Sequence, residues 1–135
     1  MIYLRPKLVG NFKPEKAPRP RQKRKREGNS SSHLDLIRKC PCAIPDCNDL
    51  AIQAHHLKAT GERGAAMRSP DRFAVPLCVD HHLHGVELVG SKNELGWFKE
   101  RGVNALQLAA DLWVARGNLR RMRSVTLEHR MRAED

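Results

Sequence analysis

The sequence predicts a small α+β domain: two short strands and a helix form its centre, further helices follow, and a basic tail precedes it. Three observations point there. The chain has 135 residues, of which 40% are hydrophobic and only 4% aromatic, which is material for one modest core. Two short apolar runs, "AIQAHHLKA" (51–59) and "RFAVPL" (72–77), come before segments of helical periodicity. Cysteines and histidines fall into two spaced pairs, Cys42 with Cys47 and Cys78 with His81, and a core this small gains from the metal clip that such pairs can form.

The elements are justified in chain order. Residues 1–32 read as a tail, because Pro6, Pro14, Pro18 and Pro20, the run "RQKRKRE" and then "GNSSS" cannot bury enough apolar surface to offset chain entropy. A folded domain is expected over 33–118, opening with a short helical turn from His33 to Lys39. In "CPCAIPDC" the prolines at 41 and 45 forbid regular helix and favour a tight knuckle. The first strand should end near His55 and His56. "TGERGAAMRSPD" (60–71) reads as a loop, and the second strand must carry Pro76 at its end or edge. Residues 79–89 read as a helix. "NELGWFKERG" reads as a short amphipathic helix with Leu95 and Phe98 on one side and Gly102 as its stop. Over 104–116, Leu106, Ala109, Ala110, Trp113 and Val114 recur at three and four, a stripe expected in the core, and Gly117-Asn118 ends that helix. Residues 119–135 are arginine-rich (120, 121, 123, 130, 132) with Leu119, Met122 and Leu127 interspersed; a phosphate-contacting helix and a solvated, frayed tail stand as equal alternatives.

Charge narrows the class of partner. The net charge is +10, and residues 1–28 alone hold ten Lys/Arg against two Glu. That excess suggests a polyanion, nucleic acid before any membrane surface. Arg21, Lys23, Arg24, Lys25 and Arg26 could each displace condensed counterions, giving salt-sensitive binding without sequence preference. Few aromatics are available to stack unpaired bases, which disfavours an RNA-binding module. No run approaches the roughly 18 apolar residues that span a bilayer, and the start lacks a secretion signal, so a cytoplasmic location is expected and disulfides are not.

The stretch "CVDHHLH" (78–84) concentrates the chemistry. On a helix, residues three apart share a face while neighbours point about 100° apart, so Cys78 and His81 could hold one ion while His82 looks elsewhere. With Cys42 and Cys47 they make a four-ligand structural Zn2+ site; Cys40, two residues before Cys42, is the reserve ligand. Closing this frame brings His55 and His56 of the first strand toward His82. His84 turns away from the His82 face and is left as a phosphate contact or a support for a ligand.

This order of residues, "AHHLK...SPDRFAVPLCVDHH", resembles the HNH nucleases, also called His-Me finger or ββα-metal nucleases. More narrowly it looks like the small prophage and bacterial members, a group to which a phage recombination-enhancing nuclease also bears a likeness. The likeness spans roughly 40–115 and includes a downstream trace of Glu94, Trp97, Phe98, Gly102, Val103, Leu108, Ala109, Leu112 and Trp113. It implies a zinc-stabilised ββα-metal core and a metal-dependent DNA endonuclease or nickase, with His56 as general base and His82 on the catalytic ion. It also implies Cys42, Cys47, Cys78 and His81 as the zinc frame. Mg2+ is the catalytic ion implied, with Mn2+ as substitute, whereas a His55 and His82 pair would suit manganese, nickel or zinc. DNA is the implied partner, and a recombinase filament a conceivable second one. His55 stands where many relatives carry aspartate, and is as readily a structural or substrate-facing residue as a ligand. Phe73 occupies the middle asparagine position. Asp71 either orients His56 or caps the loop. The alternative function is a non-catalytic, zinc-finger-like DNA-binding protein.

Overall fold

A computed structural model describes residues 28–59 and 69–132. The basic run Arg21, Lys23, Arg24, Lys25 and Arg26 lies outside them, as does most of the 60–71 loop. Helix α1 (Ser31–Ile37) starts where Ser30 caps it, its side chain accepting from the His33 backbone N–H at 3.3 Å. The chain then makes the knuckle. Its turn needs a left-handed residue, and Asp46 (φ 63°) supplies it, a short polar side chain that tolerates this backbone better than most.

Strands β1 (Ile52–His56) and β2 (Ala74–Cys78) pair antiparallel, with Ile52 opposite Cys78 and His56 opposite Ala74. Pro76 sits in the middle of β2 rather than at its end, yet breaks no ladder bond. Its carbonyl points outward and accepts the Ala43 N–H at 2.9 Å, so the missing proline N–H faces the same outer edge. A 3-10 turn, Asp71–Phe73, leads into β2, and the Phe73 carbonyl accepts from Leu57 N.

Beyond β2 the chain is helical from Val79 to Val89, in three contiguous pieces: α2 (Val79–His81), a π-helical segment (His82–Val86) and α3 (Glu87–Val89). Gly90 (φ 75°) ends the run. Helices α4 (Glu94–Glu100), α5 (Ala105–Val114) and α6 (Leu119–Arg132) complete the described chain. The core joins Ile37, Leu57, Leu77, Phe98, Leu108, Leu112 and Met122, all fully buried. Among the described residues no helix is long and apolar enough to cross a membrane.

Two expectations about the helices need correction or resolution. The buried face of α5 is Ala105, Leu108, Ala109 and Leu112, while Leu106 and Ala110 are exposed and Val114 is 81% exposed. "ALQLAADLWV" is apolar on nearly every side, so two stripes satisfy the same spacing, and the packing of the 3-10 turn, β2 and α6 against the helix selects one. Residues 119–132 are helix rather than a frayed tail, with Met122, Val125 and Thr126 buried against the rest of the core.

Candidate metal sites and the histidine pair of β1

The knuckle and the start of α2 bring Cys42, Cys47, Cys78 and His81 together, every ligand atom within 4.8 Å of the others. Cys47 and Cys78 Sγ are 3.7 Å apart, as are Cys42 Sγ and His81 Nδ1, and Cys78 Sγ lies 3.0 Å from His81 Nδ1. Ligands about 2.3 Å from a tetrahedral centre stand about 3.8 Å from one another, so this Cys3His cluster fits a zinc ion. The sulfurs are free cysteines, and no disulfide forms among the described residues. Backbone N–H groups of Cys78 and His81 point at the sulfurs of Cys42 and Cys78. Burial pushes the Cys42 thiol up to about 12, so a thiolate there requires a cation to balance it. Cys40 is not a ligand. It donates to Leu36 O at 3.4 Å on the α6 side of the knuckle, where burial raises it to about 11, and Cys42 takes the ligand position.

A second group assembles at the other end of the sheet from His55, His82 and Glu87. His55 is 1% exposed, its ring centroid 5.0 Å from that of His82. Glu94, also buried, accepts a hydrogen bond from His55 Nε2 at 2.6 Å and is held in turn by the backbone N–H groups of Lys58 (2.8 Å) and Ala59 (2.9 Å). That bond fixes the tautomer and leaves the lone pair on Nδ1, a buried atom with no hydrogen-bond partner among the described residues. Gln53, two residues earlier on the same face of β1, accepts from His82 Nδ1 at 2.6 Å and so turns the His82 Nε2 lone pair inward. Glu87 Oε1 lies 3.4 Å from both inward nitrogens. Three electron pairs thus converge with no proton between them, an arrangement that a cation stabilises.

The charges around this group agree. Burial, reinforced by His55, holds the His82 imidazole below its ordinary value despite Glu87, so it is neutral near pH 7. Burial acts to raise Glu87, but the Lys58 ammonium, 2.6 Å from Oε2, outweighs it, joined by the two imidazoles where acid charges them, and leaves the carboxyl below its usual range. Two imidazoles and one carboxylate form a donor set for first-row transition ions more than for magnesium.

Of the two β1 histidines expected near His82, His55 is the one beside it. Neighbouring side chains on a strand diverge, and His56 pairs instead with Asp71, Nε2 to Oδ1 at 2.8 Å. Asp71 also makes a second contact: its other oxygen accepts from Ser30 N at 2.9 Å, tying the end of the loop to the approach to α1. His84 is exposed and belongs to neither cluster. Phe73 is half-buried beneath the Arg72 guanidinium.

Glu87 and Gln53 were not among the residues singled out from sequence. On a regular α-helix Glu87, five residues after His82, would be rotated about 140° from it. The π-helical segment changes that: the Glu87 N–H bonds to His82 O, and the wider turn returns residues five apart toward one face. Glu94 was visible only as part of the downstream trace.

Residues 14–105 match the family described as "Protein of unknown function (DUF968)", about two thirds of the chain. The chain belongs to this family. No curated protein and no solved structure matches it. Both clusters and the His56–Asp71 pair fall inside the DUF968 match, whereas all but the first residue of α5 and the whole of α6 lie beyond it.

Proposed function

We propose that the protein is a metal-dependent DNA endonuclease or nickase of the HNH kind, in which His56 is the general base and His55, His82 and Glu87 seat the catalytic ion. The observation that carries this reading is the convergence of three lone pairs from His55, His82 and Glu87 next to a carboxylate-held histidine at the end of the same strand. Asp71 accepts from His56 Nε2 at 2.8 Å and so orients the ring of the proposed base. His55 and His56 are the last two residues of β1, so the proposed ion seat and the proposed base are carried by the same end of one strand. His55, His82 and Glu87 would hold a divalent ion, and its chemistry there would be positive charge for the phosphorane and the leaving 3′ oxygen. The donor set favours manganese or a similar ion over the magnesium that family likeness alone implies.

A second reading is a non-catalytic zinc protein that binds DNA. It is favoured by the completeness of the Glu94 contacts, which would hold β1 in place without any reaction. Plasmid nicking by metal-depleted, zinc-replete protein decides between the two. With manganese added, wild type should nick and His56→Ala should be slower by about 10² to 10⁴; Glu87→Gln should lose activity with its zinc intact. Equal activity of wild type and His56→Ala would end the nuclease reading, and a recombinase-coated DNA arm would show whether the substrate must be presented as a filament.

A further inference from the structure

Helix α6 has a second face besides the one in the core. Arg123, Leu127 and Arg130, at i, i+4 and i+7, turn toward the knuckle, and a groove of ≈ 550 Å³ runs between them and the chain around Cys47. Its cations are Arg38, Lys39, Arg123 and Arg130; Asp49 is its one carboxylate among the lining residues. The two α6 arginines are held in place: Arg123 Nε donates to Lys39 O at 3.0 Å, and Arg130 Nη1 reaches Cys42 O at 3.4 Å. Each guanidinium has five N–H donors, so most remain for a ligand, and part of the entropy cost of fixing these side chains is already met by folding.

We propose that this groove is a track for the phosphate backbone of duplex DNA, engaged by Arg38, Lys39, Arg123 and Arg130. The proposal rests on the reading of the partner as DNA, but not on catalysis. Charge selects the occupant: Lys39, Arg123, Arg130 and Arg38, the last sharing its charge with Asp35 at 3.0 Å, outweigh Asp49 and leave a positive lining that matches a repeating anion and repels the chain's own basic N-terminal residues. Arginine forks fit phosphate oxygens in pairs. Placement agrees as well. Ile52 lines the groove and lies three residues before His55 on β1, about 10 Å at strand rise. That distance puts the groove within a few nucleotides of the proposed scissile bond on one strand. An acidic peptide laid on Leu127 and Ile52 is the competing occupant.

The test measures binding of a labelled duplex to the full chain carrying His56→Ala, across a range of salt. In that background, replacing Arg38, Lys39, Arg123 and Arg130 by alanine should reduce the slope of log K against log salt by about 0.9 per contact, so by about 3 to 4 in all. Because Arg123 and Arg130 also brace the knuckle, zinc content is read alongside, and a second variant, Arg38→Glu with Lys39→Glu, leaves those braces intact and should lower the slope too. Arg101→Ala and Arg116→Ala, whose guanidiniums stack on Trp97 and Trp113, should leave it unchanged. Unchanged slopes in both groove variants at full zinc content would overturn the proposal. So would a polyglutamate peptide that depends on the four cations when the duplex does not. If wild type never nicks DNA while the slopes fall as expected, the catalytic reading fails and the track stands.

Discussion

His33 lies in the core, 2% exposed, with its ring edge-on to Trp113 and both ring nitrogens without a hydrogen-bond partner among the described residues. Burial lowers its pKa, Asp71 opposes that, and Arg116 adds to it. The folded chain therefore holds His33 neutral below the pH at which the unfolded chain, with a value of about 6.5, takes up its proton. The unfolded state binds more protons in that window, so stability is full above about pH 6.5 and declines as pH falls below it. His33→Phe keeps a ring against Trp113 and removes the titration. Urea midpoints of the variant should fall less steeply than wild type between about pH 7 and about pH 5; parallel declines would show that His33 carries no such linkage. Nothing in the sequence announces this residue, since a lone histidine in a short helix carries no spacing signal. Glu87 was hidden for a different reason, because its distance from His82 fits neither strand nor α-helix periodicity. The four zinc-frame positions were legible because paired ligands on two turns have a recognisable spacing.

The same contrast holds for elements. β1, β2 and the helix after them follow from short apolar runs and turn residues, but the π-helical register of "HLHGV" has no local signature, and the working face of α5 was settled by its neighbours. Gly85 shows how tightly that segment is seated: a Cβ there would stand 2.7 Å from Trp97 Cζ2. Trp97 cannot yield easily, being buried with the Arg101 guanidinium 4.0 Å from its ring centroid and Phe98 edge-on at 5.0 Å. Gly85→Ala should therefore cost about 1–3 kcal/mol by overpacking. Gly96, in α4 with nothing within 4 Å, is the control, and Gly96→Ala should stabilise by about 0.5–1 kcal/mol. Chemical denaturation of both variants checks the pair; equal effects would mean that the π-helical segment adapts around Trp97.

At the scale of the whole molecule, the Cys3His frame joins the knuckle, the end of β2 and the start of α2, and α6 leans on the same knuckle through Arg123 and Arg130. The buried thiols make this frame depend on its ion. Cys42→Ser should abolish the about one zinc per chain expected of a four-ligand site and broaden thermal unfolding, whereas Cys40→Ala should retain the zinc. Metal analysis with calorimetry checks both, and loss of zinc in Cys40→Ala alone would reverse the ligand assignment.

His81 and His82 share one peptide bond, yet each belongs to a different cluster. Their separate allegiances couple the two clusters: the backbone that aims the second imidazole runs straight on from the first, and is steadied besides by Gln53 and by the seat of Gly85 against Trp97. A change that loosens the Cys3His group is therefore expected to reach the neighbouring group of His55, His82 and Glu87 as well.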